Sequence, residues 1–326
     1  MTAPFRPLLA GLCFVSWLAW TGAAQAQAEP NCPPVASAPS PEAIAAARRA
    51  ASDRGPLWRI ERDGRSAWLY GTIHVGRLAW AFPGPIVGAA LRQAEVLAIE
   101  LDVTSPEVQL QLAEASAQLH AAHGQVLLPA PLAQRLARQI ALACLDAAHT
   151  GHLASQSPVM QAVTLMVLSA RDDALDPAYA QELVLAVYMH ASGKPVLSLE
   201  TAAAQVAVLA SATQQDQVML VQRTLDQLES GQGRAVLRRL ALAWEQADLA
   251  TLASYEAWCD CVHDDAERAF SKRLIDDRNP GLADAISRLH DGGQGVFAAV
   301  GALHMTGPQS LLALLRARGF KVVAVH

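Results

Sequence analysis

The sequence predicts an α/β fold in which a central mixed, largely parallel sheet carries a large helical cap inserted between its strands. Short apolar runs of strand length recur along the chain, each followed by a helical stretch, which is the alternation that builds parallel βαβ sheets. Two long segments, about 106–191 and 201–289, are rich in Ala, Leu and Gln, with apolar residues recurring at spacings of three and four. Two of the strand-like runs also end in one shared pattern, Gly-x-x-His. These are Ala67–Tyr70 before Gly71-Thr72-Ile73-His74 and Val296–Val300 before Gly301-Ala302-Leu303-His304. A buried strand that stops at a Gly turn and then presents an imidazole is how an α/β fold places a ligand at its sheet edge.

In chain order, residues 1–26 read as a secretory signal. Arg6 supplies the positive region, Leu8 to Trp20 the apolar region and Ala24-Gln25-Ala26 the cleavage site, with Ala26-Gln27-Ala28 as a second cut. Cys13 is a poor lipid-anchor candidate because bulky Leu12 precedes it. Residues 27–52 form a Pro- and Ala-rich lead-in with one short helix, Glu42 to Ala50, and 53–326 a single domain. Leu57–Ile60 and Ala67–Tyr70 flank Asp63-Gly64, a hairpin signal. Helix Pro85–Ala94 leads to the apolar strand Val96–Glu100. The first cap segment breaks at Pro129–Pro131, near Gly151, at Pro158 and at Asp176-Pro177. Gly193-Lys194-Pro195 precedes the strand Val196–Glu200. The second cap segment is interrupted at Gly231–Gly233 and around Asn279-Pro280. A strand ending at Val300, a helix over Pro308–Arg318 and a last strand over Lys321–Val325 complete the domain.

With 25 basic and 30 acidic residues, cleavage after Ala26 removes only Arg6 among the charges and leaves the exported chain mildly acidic. No basic cluster tracks phosphates, which argues against nucleic acid. The apolar run in the leader is short for a bilayer span and nothing comparable follows it. Exported chains tolerate disulfides, so Cys32, Cys144, Cys259 and Cys261 are expected to pair. Because a Cys259–Cys261 bridge closes a very tight ring, each of the two is expected to bond Cys32 or Cys144.

Four residues with metal-binding or acid–base chemistry, His74, Glu100, Glu200 and His304, fall at or just past the carboxyl ends of predicted strands. Parallel strands gather such ends on one rim, where open α/β sheets bind ligands. Two imidazoles and two carboxylates suit a divalent ion with N/O ligation, that is Zn, Mn, Co or Fe. The alternative for Glu100 and Glu200 is helix capping. Arg278, in Asp276-Asp277-Arg278-Asn279-Pro280, is placed to stabilise an oxyanion or clamp a carboxylate, or else to pair with Asp276 or Asp277. His149-Thr-Gly-His152 has metal-like spacing but reads as a solvated loop. His120, His123, His190, His263 and His290 lie in helical stretches without a partner pattern, and Gly-x-Ser-x-Gly and His-Glu-x-x-His motifs are absent.

Taken in order, Tyr70–His74, Ile99-Glu100-Leu101-Asp102, Leu175-Asp176, Gly193–Val196 with Leu199-Glu200-Thr201, Arg278-Asn279-Pro280 and Val300–His304 followed by Gly307 resemble the TraB/GumN family, which is related to the Tiki metalloproteases. The likeness runs from about Leu57 to His326. It implies an α/β metal-dependent hydrolase acting on a peptide or small-molecule substrate. The resemblance makes His74, Glu100 and His304 the metal ligands and Arg278 the family arginine; in the hydrolase reading of the rim, Glu200 would be the base or a fourth ligand. Mn or Co is favoured by the resemblance and Zn is possible. Val159, Ala174 and Ala247 depart from the family pattern, which often has an aromatic at the first and Gly at the other two. The competing readings are a non-catalytic periplasmic binding protein for metal, haem or an envelope saccharide, and a metal-free His/Glu hydrolase.

Overall fold

The computed structural model describes residues 32–33, 36–124, 126–209 and 213–326. The signal sequence, its cleavage sites and Cys13 lie outside the described residues. Among the described residues six strands form one sheet: β1 (Leu57–Arg62), β2 (Arg65–Thr72), β3 (Val96–Ile99), β4 (Val196–Ser198), β5 (Val296–Gly301) and β6 (Lys321–Ala324). Their order is β4-β3-β5-β2-β1-β6. The pairs β4/β3, β3/β5 and β5/β2 are parallel, and β1 runs antiparallel to both β2 and β6. The mixed, largely parallel sheet is therefore present, with helices inserted between its strands.

Local chemistry explains each element. Asp63 and Gly64 both take positive φ, 52° and 72°, as a two-residue hairpin turn between right-twisted strands requires. β3 is buried along its whole length and β5 over all but its last residue, so both read as continuous apolar runs covered on two faces. Alternate residues serve alternate faces. Leu97, Ile99, Phe297 and Ala299 pack with Leu91, Leu185, Met189 and Trp244. Val96, Ala98, Val296 and Ala298 pack with Leu282, Ile286, Leu311 and Leu315 on the other side. The inserted helices carry a third cluster, in which Leu132, Leu136, Val159 and Leu165 of the first cap segment meet Val221 and Leu225 of the second. The two segments thus share one apolar interior. Among the described residues no helix is long and apolar enough to cross a membrane.

Two expectations need correction. Cys259 bonds Cys261, not Cys32 or Cys144. The intervening Asp260 adopts φ 50°, and this turned backbone leaves the Cα atoms 5.1 Å apart, within ordinary disulfide reach. Cys32 and Cys144 are disulfide-bonded as well. Gly151 does not break the first cap segment. It lies inside helix Ala147–Ala154, so His149 and His152 are helical and not in a loop. Asp146 caps that helix and also takes His149 Nδ1 at 2.8 Å, and a good cap outweighs the modest cost of one internal Gly.

Candidate functional site

The parallel neighbours β4, β3, β5 and β2 end on one rim, and the chain leaves each strand carrying Glu200, Glu100, His304 and His74 in that spatial order. Register sets how closely the two Gly-x-x-His motifs approach, because Thr72 lies opposite Gly301 and Gly71 opposite Val300. Gly71 is required by proximity. A Cβ there would lie 2.8 Å from Pro56 Cγ and 3.2 Å from Ala302 Cα. Past the ladder, Glu200 N–H still donates to Glu100 C=O at 3.0 Å, which keeps the two acids side by side.

Arg278 occupies the middle of this rim. Its guanidinium bonds Glu100 Oε2, and it grips Glu200 through Nε to Oε1 at 3.0 Å and Nη2 to Oε2 at 2.5 Å. Nη1 donates to Leu274 C=O at 3.0 Å and lies 3.3 Å from His304 Nε2. The ion pair with Asp276 or Asp277 is not formed; Arg278 pairs with Glu100 and Glu200 instead. Glu100 is buried, and its second oxygen accepts the Gly301 N–H at 2.7 Å. Burial by itself raises its pKa, but His304, which is charged at the low pH where Glu100 titrates, together with Arg278 and His74 prevails and brings it to about 2. His304 is buried too, and that burial lowers its pKa to about 4, leaving a neutral ring at pH 7. Its Nδ1 meets Asn279 Oδ1 at 2.7 Å.

The other motif ends in a second carboxylate pairing. His74 Nδ1 is 3.0 Å from Glu182 Oε1, which also accepts the Thr72 hydroxyl at 2.5 Å. Glu182 arrives there because Gln181 N–H donates to Ile73 C=O at 3.0 Å, tying the start of helix Gln181–Ala191 to the exit of β2. Paired backbone bonds between Gly76 and Asp176 hold the two segments together a few residues on. The Glu182 charge raises the His74 pKa to about 9 although the His74 side chain is 67% exposed. For Glu182, burial raises the pKa, yet His74 and the bonds from His74 and Thr72 leave it lowered. Glu182 Oε2 is buried with no hydrogen-bond partner.

His74, Glu100 and Glu182 form a group whose ligand atoms all lie within 4.8 Å of one another, with Glu100 and Glu182 buried. One imidazole nitrogen and two carboxylates suit Mn, Co or Zn, and the orphaned Glu182 oxygen is an acceptor that a cation would satisfy. Of the five residues expected from the sequence, His74 and Glu100 join this group. Glu200 sits on the guanidinium side, and His304 faces Arg278 through Nε2. Three residues of the site have no role assigned from the sequence: Thr72 and Asn279, named only as motif neighbours, and Glu182, not singled out at all. Spacing carried a signal for two of them. Glu182 falls on the buried helical stripe with Leu185, Ala186 and Met189, and Asn279 on the stripe with Leu282, Ala283 and Ile286. A carboxylate or amide on an apolar stripe needs a partner, and here the partners are the two motif histidines.

No curated protein and no solved structure matches the chain. Residues 56–324, which span every strand and every residue of the rim, match the TraB/PrgY/gumN family. The chain belongs to the TraB/PrgY/gumN family.

Proposed function

We propose that this protein is an exported, metal-dependent hydrolase of peptidase type, acting on a peptide or related amide or ester bond. The observation that carries the reading is the buried, partnerless Glu182 Oε2 inside a group of two carboxylates and an imidazole. His74, Glu100 and Glu182 would hold the ion, with Mn or Co favoured by the family resemblance and Zn possible. Such an ion supplies Lewis-acid polarisation and activation of water near neutral pH. Glu100 is kept ionised by the charges around it, so it is ready to bind a cation without first losing a proton. Arg278, anchored by Glu200, presents fixed positive charge beside the group, where it would stabilise anionic character developing in a substrate. His304 adds a neutral ring next to that guanidinium.

Metal analysis of protein purified without chelator, followed by peptide-library cleavage with and without Mn(II) or Co(II), tests the proposal. The expected result is about one ion per chain and cleavage that Glu182→Gln and His74→Ala both abolish. A bound ion without turnover would favour a binding protein, and absence of both would overturn the reading. A second reading, a metal-free hydrolase, is favoured by the 3.0 Å His74–Glu182 pair, in which a carboxylate orients an imidazole as in nucleophile–base systems. Activity that survives exhaustive chelation would select it. Recovery of the chain with its leader removed, in the periplasm or medium, tests export.

A further inference from the structure

Two adjacent residues hold the two nitrogens of one ring. Arg278 Nη1 lies 3.3 Å from His304 Nε2, and Asn279 Oδ1 lies 2.7 Å from His304 Nδ1. The proton positions follow from donor chemistry. Asn279 is fully buried, and its Nδ2 donates to Gln309 C=O at 2.9 Å, so its amide orientation is set and Oδ1 is left as the acceptor. An acceptor facing Nδ1 demands an N–H there. Arg278 has only donors, so the nitrogen it faces must carry a lone pair. Both neighbours, working independently, call for the same neutral form of the ring.

We infer that Asn279 is a positioning residue, locking His304 as the Nδ1–H tautomer so that the Nε2 lone pair is presented to the Arg278 side of the rim. His304 Nε2 then acts as an acceptor, for the Arg278 guanidinium or for a proton from a substrate, and does not serve as an Nε2–H donor. Hydrogen-bonded neighbours of this kind commonly fix both the tautomer and the orientation of functional histidines. Asn279 gains its place from the helix it begins. It is the first residue of Asn279–Asp291 and shares the buried stripe of that helix, so packing of Leu282 and Ile286 against the sheet fixes where the amide points. The catalytic consequence rests on the hydrolase reading. The tautomer itself does not.

Long-range ¹H–¹⁵N ring correlations on the full chain, with metal removed, read the tautomer directly. Wild-type protein should show His304 as Nδ1–H with a roughly ten-fold or greater excess over the other form. Asn279→Leu should collapse that excess, and Asn279→Asp, which keeps the acceptor, should retain a proton on Nδ1. His290 is an internal control for folding. It is buried, and its Nε2 lies 3.1 Å from Arg62 C=O, which calls for the opposite, Nε2–H form in every variant. A wild-type His304 found as Nε2–H would overturn the inference, as would an unchanged tautomer in Asn279→Leu with His290 intact. If Asn279→Leu does not fold, an Nδ1 without a proton in Asn279→Asp overturns it equally. Because none of these readouts requires turnover, they stand apart from failure of the hydrolase assay.

Discussion

Replacing Arg278 with Met tests the electrostatic centre of the rim. The guanidinium faces Glu100 and Glu200, and all three side chains are at most 12% exposed. Removing it leaves two neighbouring carboxylates out of water without their cation, a change that typically costs about 3–5 kcal/mol. Linkage gives the same sign by another route. A Glu100 pKa brought from 4.5 to about 2 corresponds to about 3 kcal/mol of native-state preference for the ionised form, net of burial and shared among His304 where it is protonated, Arg278 and His74. Because the folded pKa is depressed, wild-type protein has that contribution in full above about pH 4.5 and loses it only as pH falls through about 2. In Arg278→Met, burial dominates and the Glu100 pKa rises, so acidification from pH 7 to 5 relieves the variant's carboxylate while leaving the wild-type Glu100 contribution unchanged. Urea unfolding at both pH values should therefore show a destabilisation of about 3 kcal/mol at pH 7 that shrinks at pH 5. A deficit below about 1 kcal/mol, the range of exposed pairs, or one equal at both pH values, would refute the reasoning.

Glu182→Gln should lower the His74 pKa from about 9 toward 6.5, read by NMR titration of metal-free protein; an unchanged titration would show that Glu182 is not its partner. The raised pKa also means that the His74–Glu182 pairing stabilises the fold fully below about pH 6.5 and fades as pH rises through about 9. With the ring largely open to water, that contribution should be no more than about 1 kcal/mol and should be absent from the stability–pH profile of Glu182→Gln. Ala174 and Ala247 hold φ of 56° and 51°, so Ala174→Gly and Ala247→Gly should each stabilise by about 0.5–1 kcal/mol in thermal unfolding, and loss of stability in both would count against those backbone conformations. Gly71→Ala should destabilise by about 1–3 kcal/mol through contact with Pro56 and Ala302, and a neutral result would mean that the two motifs approach less closely than 3.2 Å.

Sequence by itself determined the strands, the hairpin turn at Asp63-Gly64 and the placing of His74, Glu100, Glu200 and His304 at strand ends. These are local properties. Apolar runs, turn residues and periodicity report how each short segment meets its own surroundings, and the chain carries them whatever its partners. Ala174 and Ala247 both take the left-handed backbone that Gly favours. Tertiary structure alone decided which groups meet. Glu182 reaches His74 only because the start of its helix bonds Ile73 across the sheet exit, and Arg278 reaches Glu100 and Glu200 only because its helix packs on the opposite face. The Cys259–Cys261 bond likewise depended on a single turned residue between them. Strand order and register convert distances along the chain into distances in space, and that conversion depends on the summed packing of every element, which no single segment encodes.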